Sequence, residues 1–254
     1  MQLKDQVVLV TGSSRGLGAE TAKAFGAEGA KVVVNYVNSE DLANEVVQEI
    51  GSDRAVAIKA DVRNQAEVEN MFQKAKDHFG KSITTIVNNA LVNFSFNGDE
   101  RSKLDEIKWD EFQTQLEGSI QAALHTLQAG QKDMMDQQFG KIINIGTNLV
   151  QHPVVPYHDY NTAKAALLGF TRSKAQELGG YGIHVNMVSG GLLQETDASA
   201  VTPDEVFDLI RQSTPLQKVT TPADVAKAVL FFASPWSSAV TGQNLIVDGG
   251  LVME

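Results

Sequence analysis

A tyrosine and a lysine four residues apart, Tyr160 and Lys164, form the pair with the clearest chemical potential in the sequence. On a helix they would share one face, which would bring the Lys164 ammonium near the Tyr160 phenol. A phenol with a pKa of about 10 is a poor proton shuttle at neutral pH, but a fixed positive neighbour favours the phenolate and lowers that pKa. The pair therefore predicts proton exchange with a substrate oxygen, although this spacing is also common on ordinary helix surfaces.

A glycine-rich segment, residues 12–18, follows a short apolar run and precedes a helical pattern. Glycines let the backbone approach a pyrophosphate closely, and the first N–H groups of a helix face negative charge. The segment therefore predicts a dinucleotide site, although glycine-rich turns also serve plain helix–strand packing. The candidate cofactor residues in it are Gly12, Ser14, Arg15, Gly16, Leu17 and Gly18.

The end of the second predicted strand, at Asn35, bears on which nicotinamide cofactor would bind. Dinucleotide folds that prefer NAD commonly place an acid there for the ribose 2′-hydroxyl, and this strand ends without one. Arg15, Asn35 and Ser39 instead offer a cation and neutral donors, which suit a 2′-phosphate. NADP(H) is therefore predicted over NAD(H), with a solvated surface arginine as the alternative reading of Arg15.

Short β-branched runs alternate with amphipathic stretches along the whole chain, a pattern typical of repeated βαβ units. We predict one α/β domain over residues 1–254, a Rossmann-type doubly wound parallel sheet of about seven strands with helices on both faces. The predicted strands are residues 7–10, 31–36, 55–60, 83–88, 141–146, 183–188 and 244–247.

Capping patterns predict where several helices begin and end. Asn64 with Glu67 marks a start, and Gly80 marks the end of the same helix. Hydroxyl residues before prolines, at Thr202-Pro203 and Thr221-Pro222, predict two more starts with the hydroxyl residue as N-cap.

Two segments break this rhythm, residues 91–108 and residues 190–202. The first lies between a predicted strand and a long helix predicted from Trp109. Both follow the carboxyl ends of strands, where open α/β sheets bind ligands. We therefore expect these two segments to form the substrate loops.

Composition excludes several other classes of protein. The 254 residues include 21 Lys and Arg against 31 Asp and Glu, a formal charge of −10, and no cysteine. The acidic balance argues against nucleic-acid binding, and the longest apolar run is too short to span a membrane. A chain without cysteine has no disulfide and no thiolate ligand, and its histidines lack ligand spacing, so no metal site is expected. These features suit a cytoplasmic protein.

Five motifs, in order and register over nearly the whole chain, resemble those of the short-chain dehydrogenase/reductase family. They are the glycine loop, Asp61-Val62, Asn88-Asn89-Ala90, Tyr160 with Lys164, and the closing segment 240–250. Within the family, the chain most resembles the bacterial 3-oxoacyl-acyl-carrier-protein reductases. The resemblance implies a carbonyl reductase or alcohol dehydrogenase whose substrate is a 3-oxoacyl thioester, with acyl carrier protein as a candidate carrier, and whose subunits form a homodimer or homotetramer.

The resemblance also assigns roles to individual residues. Asp61 and Val62 would meet the adenine, and Asn88 and Ala90 would lie along the ribose and nicotinamide. Lys164 would also bond the nicotinamide ribose. Tyr160 would give a proton to the substrate oxygen while the reduced nicotinamide gives hydride to carbon, or the reverse.

The chain departs from the family pattern at several positions. Thr147 stands where the family has a substrate-binding serine, and its hydroxyl is expected to serve in that role. Gln115 replaces an asparagine that supports a proton-relay water, and it is either a catalytic residue or an ordinary helix residue. Leu91 replaces a glycine, and Gly190, a further cofactor-site candidate, follows a serine instead of a proline.

These departures leave two alternatives open. One is a reductase of another ketone class, because specificity belongs to loops and not to the fold. The other is an NADP(H)-binding sensor or scaffold without turnover. His158 and Asp159, directly before Tyr160, are further candidates to touch a substrate or to tune the tyrosine.

Overall fold

The computed structural model describes residues 1–194 and 196–253; Glu195, inside the predicted loop 190–202, and Glu254 lie outside the described residues. Within that part of the chain, seven parallel strands form one sheet in the order β3-β2-β1-β4-β5-β6-β7, which confirms the predicted fold class. The strands are β1 (Val7–Val10), β2 (Lys31–Tyr36), β3 (Ala55–Lys59), β4 (Thr85–Asn88), β5 (Gly140–Thr147), β6 (Ile183–Gly190) and β7 (Asn244–Val247).

Helices cover both faces of the sheet, and the alternation of side chains along a strand divides the core between the two faces. In β1, Val8 and Val10 pack in one hydrophobic cluster with Phe25, whereas Val7 and Leu9 pack in the other. The helices are α1 (Gly16–Ala27), α2 (Glu40–Ile50), α3 (Gln65–Phe79), α4 (Trp109–Leu116), α5 (Ala122–Gln137), α6 (His158–Leu178), α7 (Asp204–Ser213) and α8 (Pro222–Ala233).

Most predicted helix ends agree with the structure. The Asn64 side chain accepts hydrogen bonds from two N–H groups in the first turn of α3, and Gly80 ends that helix with a φ of 64°. Thr221 caps α8 through a reciprocal bond with Asp224. The prediction for Thr202 was wrong: α7 begins at Asp204, and Pro203 stands at the N-cap position in extended conformation. The Thr202 hydroxyl instead donates to the carbonyl of Phe96 at 3.4 Å.

The long helix predicted from Trp109 is interrupted. A π-helical turn, Glu117–Gln121, separates α4 from α5. Such turns insert an extra residue into the helical ladder and occur frequently at functional sites. Gly118 lies in this turn, where an added Cβ would stand 2.9 Å from Cβ of Val92. The absence of a side chain at Gly118 therefore lets this turn lie against Val92, at the start of the predicted loop 91–108.

The carboxyl ends of the strands form the edge at which the predicted site residues collect. Thr147, the last residue of β5, pairs with Gly190, the last residue of β6, and Gly190 pairs with Val247 of β7. No helix in the described ranges is long and apolar enough to cross a bilayer.

Candidate active site

Thr147, Tyr160 and Lys164 converge at this edge. The Thr147 side chain is hydrogen-bonded to the Tyr160 hydroxyl, and the Lys164 ammonium lies 5.7 Å from the centroid of the Tyr160 ring. All three side chains are buried, with Tyr160 only 5% exposed and Lys164 4% exposed. Tyr160 and Lys164 occupy the first two turns of α6, so the predicted one-turn spacing on a shared helical face is present.

The electrostatics of the pair differ from the sequence-based expectation. Burial raises the pKa of Tyr160, since the phenolate would lose its hydration, and the hydrogen bond with Thr147 opposes this rise only in part. Burial also lowers the pKa of Lys164 to about 8. The Lys164 ammonium donates to the Ile145 carbonyl at 2.7 Å. Desolvation therefore dominates, and the pKa of Tyr160 moves in the direction opposite to the one expected from the ammonium.

Three aromatic rings surround the tyrosine. Phe94 stacks on Tyr160 with centroids 4.5 Å apart and planes inclined by 24°, and Phe96 meets Tyr160 edge-on at 5.7 Å. Tyr157 contacts Phe94 edge-on at 5.1 Å. Phe94 and Phe96 belong to the loop after β4, which was predicted to form the site, but their direct contact with the tyrosine was not foreseen.

An ion pair between Arg101 and Asp159 packs against this aromatic group. Arg101 bonds to the carboxylate of Asp159, and these side chains are 17% and 2% exposed. The Arg101 guanidinium carbon also lies 4.5 Å from the centroid of the Phe94 ring. Asp159 thus contacts the loop after β4 and directly precedes Tyr160 in the sequence. Its predicted role in tuning the tyrosine stays a prediction.

Gln115 is buried and bonded away from the tyrosine. Its side chain is 3% exposed and donates to the Val92 carbonyl at 2.9 Å. It thereby fixes the start of the loop that carries Phe94. This bond supports a positioning role for Gln115, which forms no hydrogen bond with Tyr160 or Lys164 among the described residues.

The glycine loop packs tightly against neighbouring backbone atoms. Gly12 has a φ of 60°, and an added Cβ would lie 2.9 Å from Cα of Ala90. A Cβ on Gly18 would lie 2.4 Å from the Gly12 carbonyl oxygen. Asn35 accepts from the Gly12 N–H at 3.0 Å and donates to the Ala60 carbonyl at 2.9 Å. We therefore reassign Asn35, which is 1% exposed, from phosphate donor to support of the loop.

The outer side of the same loop suits an anion. Gly16 has a φ of 55°, and the nearest atom to an added Cβ there is 3.9 Å away. Arg15 is the N-cap of α1, and the first turn of a helix presents backbone N–H groups to an anion such as phosphate. Arg15 donates to the Ser39 hydroxyl. A cradle of bare backbone with a cation at its rim fits a dinucleotide.

Several of the remaining predicted residues line two cavities. One, beside Lys164, is also lined by Asn88, Ala90 and Ser119. The other lies between α1 and α2 and is lined by Ser14, Arg15 and Gly16. Leu17 faces inward and packs against the first hydrophobic cluster, and Gly190 is buried.

The predicted adenine residues lie at the end of β3. The Asp61 carboxylate forms a salt bridge of 2.6 Å with Arg63, which holds the pKa of Asp61 below its ordinary value. Val62 is 3% exposed, and its carbonyl oxygen lies 3.1 Å from Nδ1 of His125. Arg63 and His125 were not foreseen from the sequence.

Comparison of the sequence with known proteins finds relatives that are described as reductases. A family profile described as enoyl-(acyl carrier protein) reductase matches residues 12–252. The chain is 35% identical to a 3-oxoacyl-[acyl-carrier-protein] reductase of Synechocystis, over 99% of this chain and 98% of that protein. It is 31% identical to an enzyme of the same description from Vibrio cholerae, over 100% of both chains.

Solved structures that resemble the chain carry different descriptions. A candidate gluconate dehydrogenase from Agrobacterium tumefaciens superposes with a TM-score of 0.89 at 28% identity, covering 99% of this chain and 98% of that one. A gluconate 5-dehydrogenase from Burkholderia cenocepacia, solved in complex with NADP and tartrate, gives 0.87 at 27% identity, covering 98% and 96%.

Proposed function

Because the chain belongs to the short-chain dehydrogenase/reductase family and is thus an oxidoreductase acting on a CH–OH group, we propose that it is an NADP(H)-dependent reductase of 3-oxoacyl thioesters. The observation that carries this proposal is the buried hydrogen bond between Thr147 and Tyr160, with Lys164 one turn further along α6. A carbonyl oxygen that bonds to both hydroxyl groups would be polarised and within reach of a proton. Acyl carrier protein is the proposed carrier, because the curated relatives are described as acting on substrates that it bears.

The chemistry assigned to the chain is a proton transfer. Thr147 holds the substrate oxygen, and Tyr160 gives its hydroxyl proton to that oxygen as the C=O π bond becomes a C–O single bond. When bound, NADPH supplies the hydride that joins the carbonyl carbon. The Lys164 ammonium offsets the negative charge left on Tyr160. Oxidation of the alcohol reverses each of these transfers.

The preference for NADP(H) rests on Arg15 and Ser39. Their hydrogen bond places a cation and a hydroxyl beyond the end of β2, where an NAD-preferring site usually carries an acid. Replacing the cation should weaken NADPH binding much more than NADH binding. We expect Arg15→Met to lower the ratio of kcat/KM for NADPH to that for NADH by about ten- to a hundredfold. An unchanged ratio would remove Arg15 from the cofactor site.

A second substrate class is favoured by one observation. Asp159 is 2% exposed, and its Oδ1 atom has no hydrogen-bond partner within the described ranges. A buried acceptor next to Tyr160 suits a hydroxyl-bearing substrate. A keto derivative of a polyhydroxy acid, as in the descriptions of the two solved structures, is therefore the alternative.

A substrate panel tests the proposal and separates it from its rivals. The panel contains an acetoacetyl thioester, an enoyl thioester and a ketogluconate, each assayed with NADPH and NADH by loss of reduced-nicotinamide absorbance. We expect the acetoacetyl thioester to give the highest kcat/KM, and Tyr160→Phe to lower kcat for it by about 10²- to 10⁴-fold. Highest kcat/KM for the ketogluconate or the enoyl thioester overturns the substrate assignment. NADPH binding without turnover of any compound identifies a sensor or scaffold instead.

A further inference from the structure

The loop after β4 holds Tyr160 from one side. Phe94 stacks on the Tyr160 ring with centroids 4.5 Å apart, and Arg101 lies over the Phe94 ring while bonding to Asp159. Asp159 directly precedes Tyr160 in α6. The loop therefore contacts two consecutive residues of the helix: Tyr160 through ring stacking and Asp159 through an ion pair. We call Phe94, Arg101 and Asp159 the clasp.

The loop after β4, which carries Phe94 and Arg101, is anchored on the protein at three further points. Gln115 of α4 donates to the Val92 carbonyl at 2.9 Å. The Gly98 N–H donates to the Tyr157 hydroxyl at 2.7 Å. The Phe96 N–H donates to the Ala198 carbonyl at 3.3 Å. These bonds fix the loop to α4, to the residues before α6 and to the second predicted substrate loop.

The contacts of Tyr160 divide into two sets. Its hydroxyl bonds with Thr147 at the end of β5, whereas its ring is covered by Phe94 and Phe96. The charged or titratable groups beside it are Lys164, Tyr157 and the paired Asp159 and Arg101. The hydroxyl contact is the one that chemistry needs, and the ring contacts are the ones that limit where the hydroxyl can lie.

We propose that the clasp positions Tyr160 for proton transfer: Phe94 fixes the plane of the phenol ring, and the Arg101–Asp159 ion pair holds Phe94 in place. Phe94 and Arg101 are positioning residues that act through the tyrosine. This inference rests on the proposed function of Tyr160 as proton donor. It adds that the loop after β4 contributes to the rate of that step, beyond its expected part in binding substrate.

Substitutions of Phe94 test the stacking contact. Phe94→Leu keeps an apolar side chain but loses the stack, and we expect kcat to fall about three- to tenfold with KM for NADPH unchanged. Phe94→Tyr keeps the ring and should retain kcat. Chemical shifts give a readout without turnover: the ring protons of Tyr160, one of four tyrosines, should lose their upfield ring-current shift in Phe94→Leu and keep it in Phe94→Tyr.

Substitutions of the ion pair test its support of Phe94. Arg101→Met leaves a buried carboxylate without its partner and is expected to weaken folding, so the double variant Arg101→Met/Asp159→Asn, which removes both charges, is the decisive one. We expect it to reduce the ring-current shift of Tyr160 and to lower kcat by about the same factor as Phe94→Leu. Arg211→Met, which breaks an exposed ion pair with Asp208 in α7, serves as the matched control and should leave both quantities unchanged.

The outcomes separate failure of the clasp from failure of the proposed function. If Phe94→Leu or the double variant keeps the parent kcat, the clasp has no part in turnover and the inference is overturned, even when the ring-current shift changes. If Tyr160→Phe keeps the parent activity, the proposed function fails, whatever the Phe94 variants show. Loss of kcat in Phe94→Leu together with an unchanged Tyr160 chemical shift also overturns the inference, since the effect would then not pass through the tyrosine.

Discussion

Two buried lysines lie near opposite ends of strand β5, and burial shifts their pKa values alike. Lys141, near the start of the strand, donates to the Ser237 hydroxyl at 3.3 Å. Lys164 of α6 donates to the Ile145 carbonyl, near the end of the strand, at 2.7 Å. Their side chains are 3% and 4% exposed, and burial lowers the pKa of each to about 8. In the described part of the chain neither forms a salt bridge.

Their surroundings differ. Lys164 lies at the carboxyl edge of the sheet, beside Tyr160 and the cavity that Asn88 and Ala90 line. Lys141 lies at the opposite edge, where burial and the charge of Lys141 both contribute to a lowered pKa of His184. A perturbed pKa therefore does not by itself identify a catalytic residue in this protein. Position at the carboxyl edge of the sheet, where open α/β sheets in general bind ligands, is what separates the two lysines.

The largest expected difference between the lysines is in activity. Lys164→Met removes the cation beside Tyr160, and we expect kcat for the preferred carbonyl substrate to fall by about 10²- to 10⁴-fold. Lys141→Met should leave kcat within about twofold of the parent. Steady-state kinetics of both variants, with folding checked by circular dichroism, measures the contrast. Similar losses in the two variants would show that the contrast in position has no functional meaning.

A smaller effect is expected in stability, and there the two lysines should behave alike. A buried ammonium with a pKa of about 8 costs folding free energy at pH 7, because the unfolded chain holds the same proton more tightly. We expect either methionine variant to raise the free energy of unfolding by about 1–3 kcal/mol. Urea unfolding at pH 7 gives this value, provided that the m-value is unchanged. Destabilisation by Lys141→Met would mean that its bond to Ser237 outweighs its desolvation.

The alternation of short β-branched runs with amphipathic stretches was sufficient to predict the sheet. Every strand lies within two residues of its predicted bounds, because strands covered on both faces, as in β1, read as continuous apolar runs. The π-helical turn that interrupts the helix predicted from Trp109 was one exception, and the N-cap predicted at Thr202 was another. The Thr202 hydroxyl bonds to Phe96, about a hundred residues away in the chain, and a local capping rule contains no information about such a contact.

The site was predictable only where it follows the strand ends. Tyr160 and Lys164 were singled out by their helical spacing and Thr147 by the resemblance to the family, and the structure brings all three to one edge of the sheet. Phe94 and Arg101 were missed, since no periodic pattern marks which residues of a loop will touch a helix packed against it. The pKa of Tyr160 was misjudged for a related reason: burial, which raises it, is a property of the assembled fold and cannot be read from the spacing of Tyr160 and Lys164.

The pH dependence of stability provides the finest test of the two lysines. Between pH 8 and 10 the folded lysines release protons that the unfolded chain keeps up to its ordinary lysine pKa of 10.5. The unfolded state then binds more protons, so the free energy of unfolding should rise with pH, by up to about 1.4 kcal/mol per pH unit for each lysine. Above the unfolded lysine pKa of 10.5 this rise ends, and the trend should then reverse because folded Tyr160 retains a proton that unfolded tyrosine loses.

Urea unfolding at a series of pH values measures this rise. Each single methionine variant should remove about half of it, and the double variant Lys141→Met/Lys164→Met should remove nearly all, since the sites contribute independently. Lys132→Met serves as the control: that lysine is exposed and bonded to Asp136, which raises its pKa, so its contribution is constant below pH 10. If only one of the two lysines contributes to the rise in the free energy of unfolding, the other is solvated in solution. The two lysines would then not share a lowered pKa.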